Sequence, residues 1–328
     1  MKEHARAIQI IKRSISNLNL DLAEKTVLTE VGSKEYVYTP VIAALAGAFK
    51  VFAWTRDSKY GKALTIISEC KIILRTLGLL DKVEFYIGEI NQEHLKKADI
   101  ITNSGFIRPL NESKLKFVKN SVVIPLMYEK WELREKDVDS NFCKLHNIKL
   151  AGTWENHPDI MVFEHIGALA IKMSLNAGYE VYNNKIIVWS DDHFGDVVEK
   201  AFKRIGASSV LKTVDKNILL NNIHGIDFIF ICDYSEHRNY SSNEVIDIDQ
   251  IKSINSCIGI VHLYGELNYD LLKDKVDNIY PKFDGSSSLM TYTLGHVGLN
   301  PIINLQVAGL RVGQLMMEDK DTNLVQYI

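Results

Sequence analysis

Short apolar runs alternate with helical patterns twice along this chain, and few architectures accept that order. The first series opens with Thr26–Leu28, which leads into a Gly32-Ser33 loop. Thr39 and Pro40 then read as N-cap and first residue of a helix with Val41, Ile42, Ala44 and Leu45 on its apolar face, ended by Gly47. Lys50–Trp54 is the next strand, with a helical pattern to Leu80. Further strands are expected at Val83–Ile87, Ile100–Thr102, Val122–Leu126 and Ile148–Ala151. A helix of about 20 residues, opened by Pro158 and closed near Gly178, would span roughly 30 Å and could connect two domains. The second series has strands at 185–189, 208–212, 227–232 and 257–263, with a helix at 196–205 closed by Gly206. β-α-β-α order implies parallel sheets covered on both faces. The expectation is an α/β chain of two Rossmann-like, doubly wound parallel-sheet domains with a cleft between them. The first domain would hold 1–164 plus 299–328, and the second 165–298. A C-terminal helix carrying Ile302, Leu305, Ala308, Val312 and Leu315 would return to the first.

The bulk composition narrows the partners. Of 328 residues, 46% are hydrophobic and 24% charged, and the formal net charge of −3 gives no reason to expect nucleic acid or an anionic membrane. The four cysteines are far apart and form no CxxC pair, so no metal site is expected. Cys232 and Cys257 lie in apolar runs and read as buried thiols of a reducing compartment. The N-terminus reads as an amphipathic helix on Ile8, Ile11, Ile15 and Leu18 rather than as a signal peptide. The apolar segment near 160–175 contains Glu164, His165 and Lys172, which a membrane span would accept only at high cost. A cytoplasmic protein is expected, with a small-molecule substrate and a homodimeric assembly.

The stretch "KIIVWSDDHFGDVV" at 185–198 is a strand running into a helix, where a dinucleotide fold keeps its glycines. Those glycines let the backbone approach a pyrophosphate, which the helix N-terminus then binds. Here the early glycine positions fall around Ser190 and Asp192, and Gly195 remains. Asp191 and Asp192 put negative charge where a pyrophosphate would sit. The plainer account is that one of them caps the helix. On the functional account, Ser190, Asp192, His193 and Gly195 line a cofactor, NAD or NADP. Lys212 stands where an NAD site would have an acid, which would favour a 2′-phosphate.

The order of segments resembles the D-isomer-specific 2-hydroxyacid dehydrogenase family (the formate/glycerate dehydrogenase-like superfamily) over residues 95–315. "VDSNFCKLHNIKLAGTWENHPDIMVFEHIGALAI" (138–171) resembles the stretch where that family's first domain ends, with Phe163-Glu164-His165 in place of Ala-Glu-His. "NNKIIVWSDDHFGDVVEKAFKRIGA" resembles its cofactor βα unit. "CIGIVHLYGELNYDLL" resembles the segment ending in Asn-x-x-Arg-Gly, and "TLGHVGLNPIINLQVAGLRVGQ" its Pro-His-Ile-Gly segment and returning helix. The resemblance implies an NAD(P)-dependent oxidoreductase. It places the catalytic histidine at His296 and puts Tyr264 where the family has its substrate-binding arginine. A tyrosine offers no bidentate positive fork, so a simple 2-hydroxy acid is a poor fit. The histidine's glutamate partner is missing, and after Glu266 the interval to His296 has only aspartates, of which Asp284 in "KFDGSSS" is the candidate stand-in. Asn103, Ser104 and Gly105 match the loop whose amides hold the substrate carboxylate, and Arg108 is the nearest fixed cation. S-adenosylhomocysteine hydrolase shares the architecture more distantly.

The leading expectation is a divergent NAD(P)-dependent oxidoreductase acting on an unusual hydroxy or oxo substrate in a specialised pathway. A ligand-binding or scaffold protein without redox chemistry is the first alternative. The second is an enzyme related to S-adenosylmethionine or S-adenosylhomocysteine, with Gly32, Ser33, Arg56 and Asp57 around its ligand.

Overall fold

The two series form two sheets. The computed structural model describes residues 2–234, 248–265, 267, 269–272, 275–276, 278–282 and 290–328. The chain divides into unit 1, Met1–Val162 with Gly298–Ile328, and unit 2, Phe163–Val297.

In chain order, unit 1 begins with α1 (Lys2–Leu18), β1 (Thr26–Glu30), α2 (Thr39–Leu45), β2 (Lys50–Thr55), α3 (Ala63–Leu77) and β3 (Val83–Ile87). It continues with α4 (Gln92–Lys97), β4 (Ile100–Ile101), α5 (Glu112–Leu115), β5 (Val123–Pro125), α6 (Ser140–Leu145) and β6 (Lys149–Thr153). Unit 2 holds α7 (Glu164–Asn176), β7 (Lys185–Trp189), α8 (His193–Ile205), β8 (Ser209–Thr213), α9 (Lys216–Asn222) and β9 (Phe228–Cys232). Its remaining elements are α10 (Ile248–Ile254), β10 (Gly259–Tyr264), α11 (Tyr269–Leu272) and β11 (Ile279–Tyr280). Unit 1 is completed by α12 (Leu299–Met317) and β12 (Val325–Tyr327).

The unit 1 sheet has the order β12-β6-β5-β4-β1-β2-β3, and only β12 runs antiparallel to its neighbour. β1 pairs with β2 on one side, Val27 opposite Val51, and with β4 on the other, Val27 opposite Ile100. The order of connection reverses between β1 and β4, which makes the end of β1 a topological switch point. The unit 2 sheet has the order β11-β10-β9-β7-β8 and is parallel throughout. Its switch point lies between β7 and β9.

Apolar runs at period two or continuous apolar runs bury these strands. Leu28, Phe52, Trp54, Ile101, Ile124 and Leu150 join one unit 1 core. In unit 2, Val188, Phe202, Phe228 and Phe230 pack on one sheet face, and Ile187, Trp189, Ile229 and Ile231 on the other. Each such side chain contributes about 1.5–3 kcal/mol by leaving water. No helix among the described residues is long and apolar enough to cross a membrane.

Several sequence expectations need correction. The connecting helix is not about 20 residues long: α7 has 13, starting at Glu164. Pro158 sits instead in a turn in which the His157 carbonyl accepts from Ile160 and Met161, and Met161 takes φ 44°. That left-handed residue cannot propagate a helix. Thr39 is the first residue of α2 rather than its cap. Tyr38 is the N-cap, and the Thr39 hydroxyl donates to Gln306 at 2.9 Å. The pattern after β2 yields a helix only from Ala63, because Asp57 folds back to accept from the Ala63 amide. Cys232 is buried, but Cys257 is exposed, in the turn before β10.

Candidate functional site

The unit 2 switch point holds the loop from Ser190 to Gly195. Asp192 is the N-cap of α8, so the capping account of this loop is the one the structure displays. Its Oδ1 accepts from the amides of Phe194 at 2.9 Å and Gly195 at 3.3 Å, and from the Ser190 hydroxyl at 2.9 Å. Its Oδ2 accepts from the Tyr234 amide beyond β9. One carboxylate thus takes the helix amides and ties β7 to β9 across the crevice. Burial pushes its pKa up, and the hydrogen bonds from Tyr234, Ser190 and Gly195 pull the other way. Gly195 is needed for packing: a Cβ there would lie 2.5 Å from the Ser190 hydroxyl oxygen. Lys212 is paired with Asp196 on α8. Asp191 and His193 are exposed, and the His193 ring lies 5.9 Å from that of Phe163.

Tyr264 ends β10 and stacks on Tyr234, with ring centres 3.6 Å apart and an interplanar angle of 5°. Tyr234 stacks in turn on Phe194 at 4.0 Å, and Phe194 meets Phe163 at 4.7 Å. A ladder of aromatic rings therefore covers this edge. His262, which sequence reasoning passed over, sets the turn after Tyr264. It is buried, its Nε2 lies 2.8 Å from the Gly265 carbonyl oxygen, and burial lowers its pKa to about 4. The imidazole is therefore neutral, and Gly265 takes φ 111° in the turn it closes.

His296 lies in the 3-10 turn Leu294–Val297 and is exposed. Its Nδ1 is 3.1 Å from the Thr293 carbonyl oxygen, and its ring meets Tyr292 edge-on at 4.5 Å. The backbone carbonyl of His296 accepts from Lys172 of α7 at 2.6 Å. Tyr264 and His296 thus belong to different aromatic sets, one with Tyr234 and one with Tyr292. Asp284 lies outside the described residues.

The unit 1 switch point has a different chemistry. Glu30 ends β1 and is buried, 5% exposed, with its Oε2 accepting from the Phe106 amide at 3.0 Å. Burial raises its pKa, against the Phe106 hydrogen bond and the Arg108 charge. Gly105, at φ 37°, leaves room for it: a Cβ would lie 1.6 Å from Oε2. Ser104 ends a hydroxyl chain, Thr29 to Thr102 to Ser104, with both links 2.8 Å. Asn103 is buried, donates to the Tyr128 hydroxyl at 2.8 Å and accepts from the Met127 amide at 3.2 Å. Arg108 does not stand as a free cation. Asp137 holds it at 3.0 Å, and also holds Arg134 at 3.2 Å. The Arg56 guanidinium lies over the Phe106 ring at 4.9 Å.

Farther along the same carboxyl edge, Glu129, Glu132 and Glu155 come together after β5 and β6. Glu129 accepts from the Glu155 amide at 2.9 Å and from the Trp131 indole at 3.0 Å. Burial pushes Glu155 well above the ordinary carboxylate range, and burial pushes Glu132 up to about 7. Tyr36 feels the charge of both groups. Its phenol is raised by desolvation and by nearby Glu30, Glu35 and Glu155, although the residue is 43% exposed. Neither these glutamates nor Glu30 was singled out from the sequence. The available signal was a charged residue closing an apolar strand, as in "TVLTE" and "LAGTWE".

No family model matches the chain, and no curated protein matches it. Solved structures do. A dipicolinate synthase from Bacillus halodurans superposes with a TM-score of 0.55 at 12% identity, over 90% of this chain and 99% of that one. The pyruvate reductase of Chlamydomonas reinhardtii gives 0.55 at 10% identity, over 92% and 99%. The dipicolinate synthase from Bacillus subtilis gives 0.53 at 12%, over 92% and 98%. At these identities the likeness shows the fold. This chain therefore has the two-domain Rossmann-type architecture that the resemblance to 2-hydroxyacid dehydrogenases implied.

Proposed function

We propose that this chain is a small-molecule-handling protein that keeps the oxidoreductase fold but has weakened its nicotinamide site, with its ligand taken at the carboxyl edge of unit 1. The contrast between the two switch points carries this reading. In unit 2 the chain's own Asp192 takes the helix amides that a pyrophosphate would need. In unit 1 a desolvated carboxyl, Glu30, stands beside backbone amide, hydroxyl and guanidinium groups, the kind of perturbed cluster that binding and catalysis use.

Calorimetric titration with NAD, NADP and S-adenosylmethionine tests the nucleotide half. Wild type should bind the dinucleotides weakly. Asp192→Asn keeps an acceptor for the cap but removes the charge, and should tighten binding roughly tenfold, about 1.4 kcal/mol. Tight binding by wild type, or no change in the variant, overturns the argument.

A working NAD(P)-dependent oxidoreductase is the second reading, favoured by His296. With Nδ1 donating to the Thr293 carbonyl, Nε2 is the basic nitrogen of an exposed imidazole. On this reading His296→Asn should lower turnover by about 10²–10⁴-fold in assays of 2-oxo acid reduction that follow nicotinamide absorbance. Equal activity of the variant would remove His296 from the chemistry.

A further inference from the structure

We infer that Thr102, with Thr29 behind it, sets the Ser104 hydroxyl as a hydrogen-bond donor, so that the ligand of unit 1 meets it with an acceptor atom such as a carbonyl oxygen and not with an ammonium group. The inference rests on the reading that unit 1 takes the ligand, and it names the ligand's chemistry at one atom.

Three hydroxyls stand in a row. Thr29 of β1 lies 2.8 Å from Thr102, which follows β4, and Thr102 lies 2.8 Å from Ser104. Backbone contacts hold the row in place. The Thr102 amide donates to the Leu28 carbonyl at 3.1 Å, and the Ile107 amide donates to the Ser104 carbonyl at 3.0 Å. Thr29 and Thr102 are wholly buried, and Ser104 is partly so.

A hydroxyl has one proton to give and two lone pairs to receive. The row can therefore run in two senses. If Ser104 donates inward to Thr102, the row ends on the proton of Thr29. Among the described residues the Thr29 hydroxyl has Thr102 as its sole partner, so that proton would be buried without an acceptor. If Thr29 donates outward, Thr102 donates to Ser104, and what goes unused at the inner end is a lone pair. A buried donor left unpaired costs more than an acceptor with a spare lone pair. The outward sense wins, and it leaves the Ser104 proton for a group outside the row. Among the described residues no acceptor takes it.

The proton is presented from a loop that is tied down on both sides. Before it, Asn103 donates to the Tyr128 hydroxyl and accepts from the Met127 amide. After it, the Phe106 amide donates to Glu30. A ligand acceptor uses the proton that the row leaves over. An ammonium group could reach only the remaining lone pair of Ser104, and would leave the proton unpaired once water is displaced. The competing account is a solvated serine whose proton serves water alone.

Neutron diffraction from crystals of the full chain in heavy water reads the sense of the row directly. The Thr29 deuterium should point at Thr102, that of Thr102 at Ser104, and that of Ser104 at neither. The reverse sense overturns the inference. The ligand half is tested with acetone as an acceptor probe and methylammonium as a donor probe, followed by the NMR signals of the Ser104 and Gly105 amides. Acetone should shift those signals saturably, and methylammonium should not. Ser104→Ala should weaken acetone binding about threefold to tenfold, the range of one neutral hydrogen bond. Thr102→Val frees the Ser104 hydroxyl to turn, and should bring the two probes toward equal response. Thr102→Ser should restore the preference for acetone, which a merely structural role of Thr102 does not require. Equal responses of wild type to both probes, or an unchanged acetone response in Ser104→Ala, overturn the inference and leave the solvated serine. Methylammonium alone shifting the two signals overturns the acceptor and keeps the unit 1 site. No shift with either probe at the carboxyl edge of unit 1 overturns both readings.

Discussion

Glu132 has a pKa of about 7 because burial disfavours its charged form and Glu129 lies nearby, only partly offset by a hydrogen bond from the Glu129 backbone. The sign of its effect on stability follows. An unfolded glutamate releases its proton near 4.5, whereas the folded one holds it to about 7. Between those values the folded state binds more protons, so this group's contribution to stability falls as pH rises. Denaturant midpoints of Glu132→Gln should therefore decline less between pH 4.5 and 7 than those of wild type. Parallel curves would place the titration elsewhere. None of this was legible residue by residue. Glu132 in "EKWELRE" looks like any solvated glutamate, and the fold takes it partly out of water beside Glu129. Arg108 shows the same limit. The sequence presents a cation after a strand, and the fold supplies Asp137 from 29 positions away.

At the scale of elements, the β7–α8 unit explains what survives of a nucleotide motif. The early glycines of such a loop serve a phosphate, and the last serves the packing of helix on strand. Here the packing glycine remains and the others are gone. Gly195→Ala would drive a methyl to 2.6 Å from the Ser190 Cβ. That overpacking should cost about 1–3 kcal/mol, read by chemical denaturation. Adding Ser190→Gly should recover part of the loss, and absence of recovery would mean that the strain lies elsewhere. The strand and the helix were legible because their periodicity is local. The cap was legible as a choice between Asp191 and Asp192. The tie from Asp192 to Tyr234 was not, because it joins loops 42 residues apart.

For the whole molecule, the two sheets were legible from the alternating order, and the chemistry at their edges was not. Alternation is a property of neighbours in sequence, whereas each edge gathers residues from several loops. The two units also respond to acid in opposite senses. His262 in unit 2 is held neutral, with its pKa lowered to about 4 by burial. The unfolded imidazole takes up a proton near 6.5, so the stability from this group is present above 6.5 and is lost as pH falls toward 4. The size is about 3 kcal/mol at most. Glu132 and Glu155 in unit 1 act the other way, favouring the folded state as they take up protons. Hydrogen exchange, corrected for its intrinsic rate, should show this strand by strand. On acidification from pH 6.5 to 5, protection in β9 and β10 should fall while that in β5 and β6 is held or rises. His262→Gln can keep the bond to the Gly265 carbonyl without titrating, and should flatten the β9–β10 response alone. A uniform loss of protection in both sheets, unchanged in that variant, would show that His262 does not set the acid limit of unit 2.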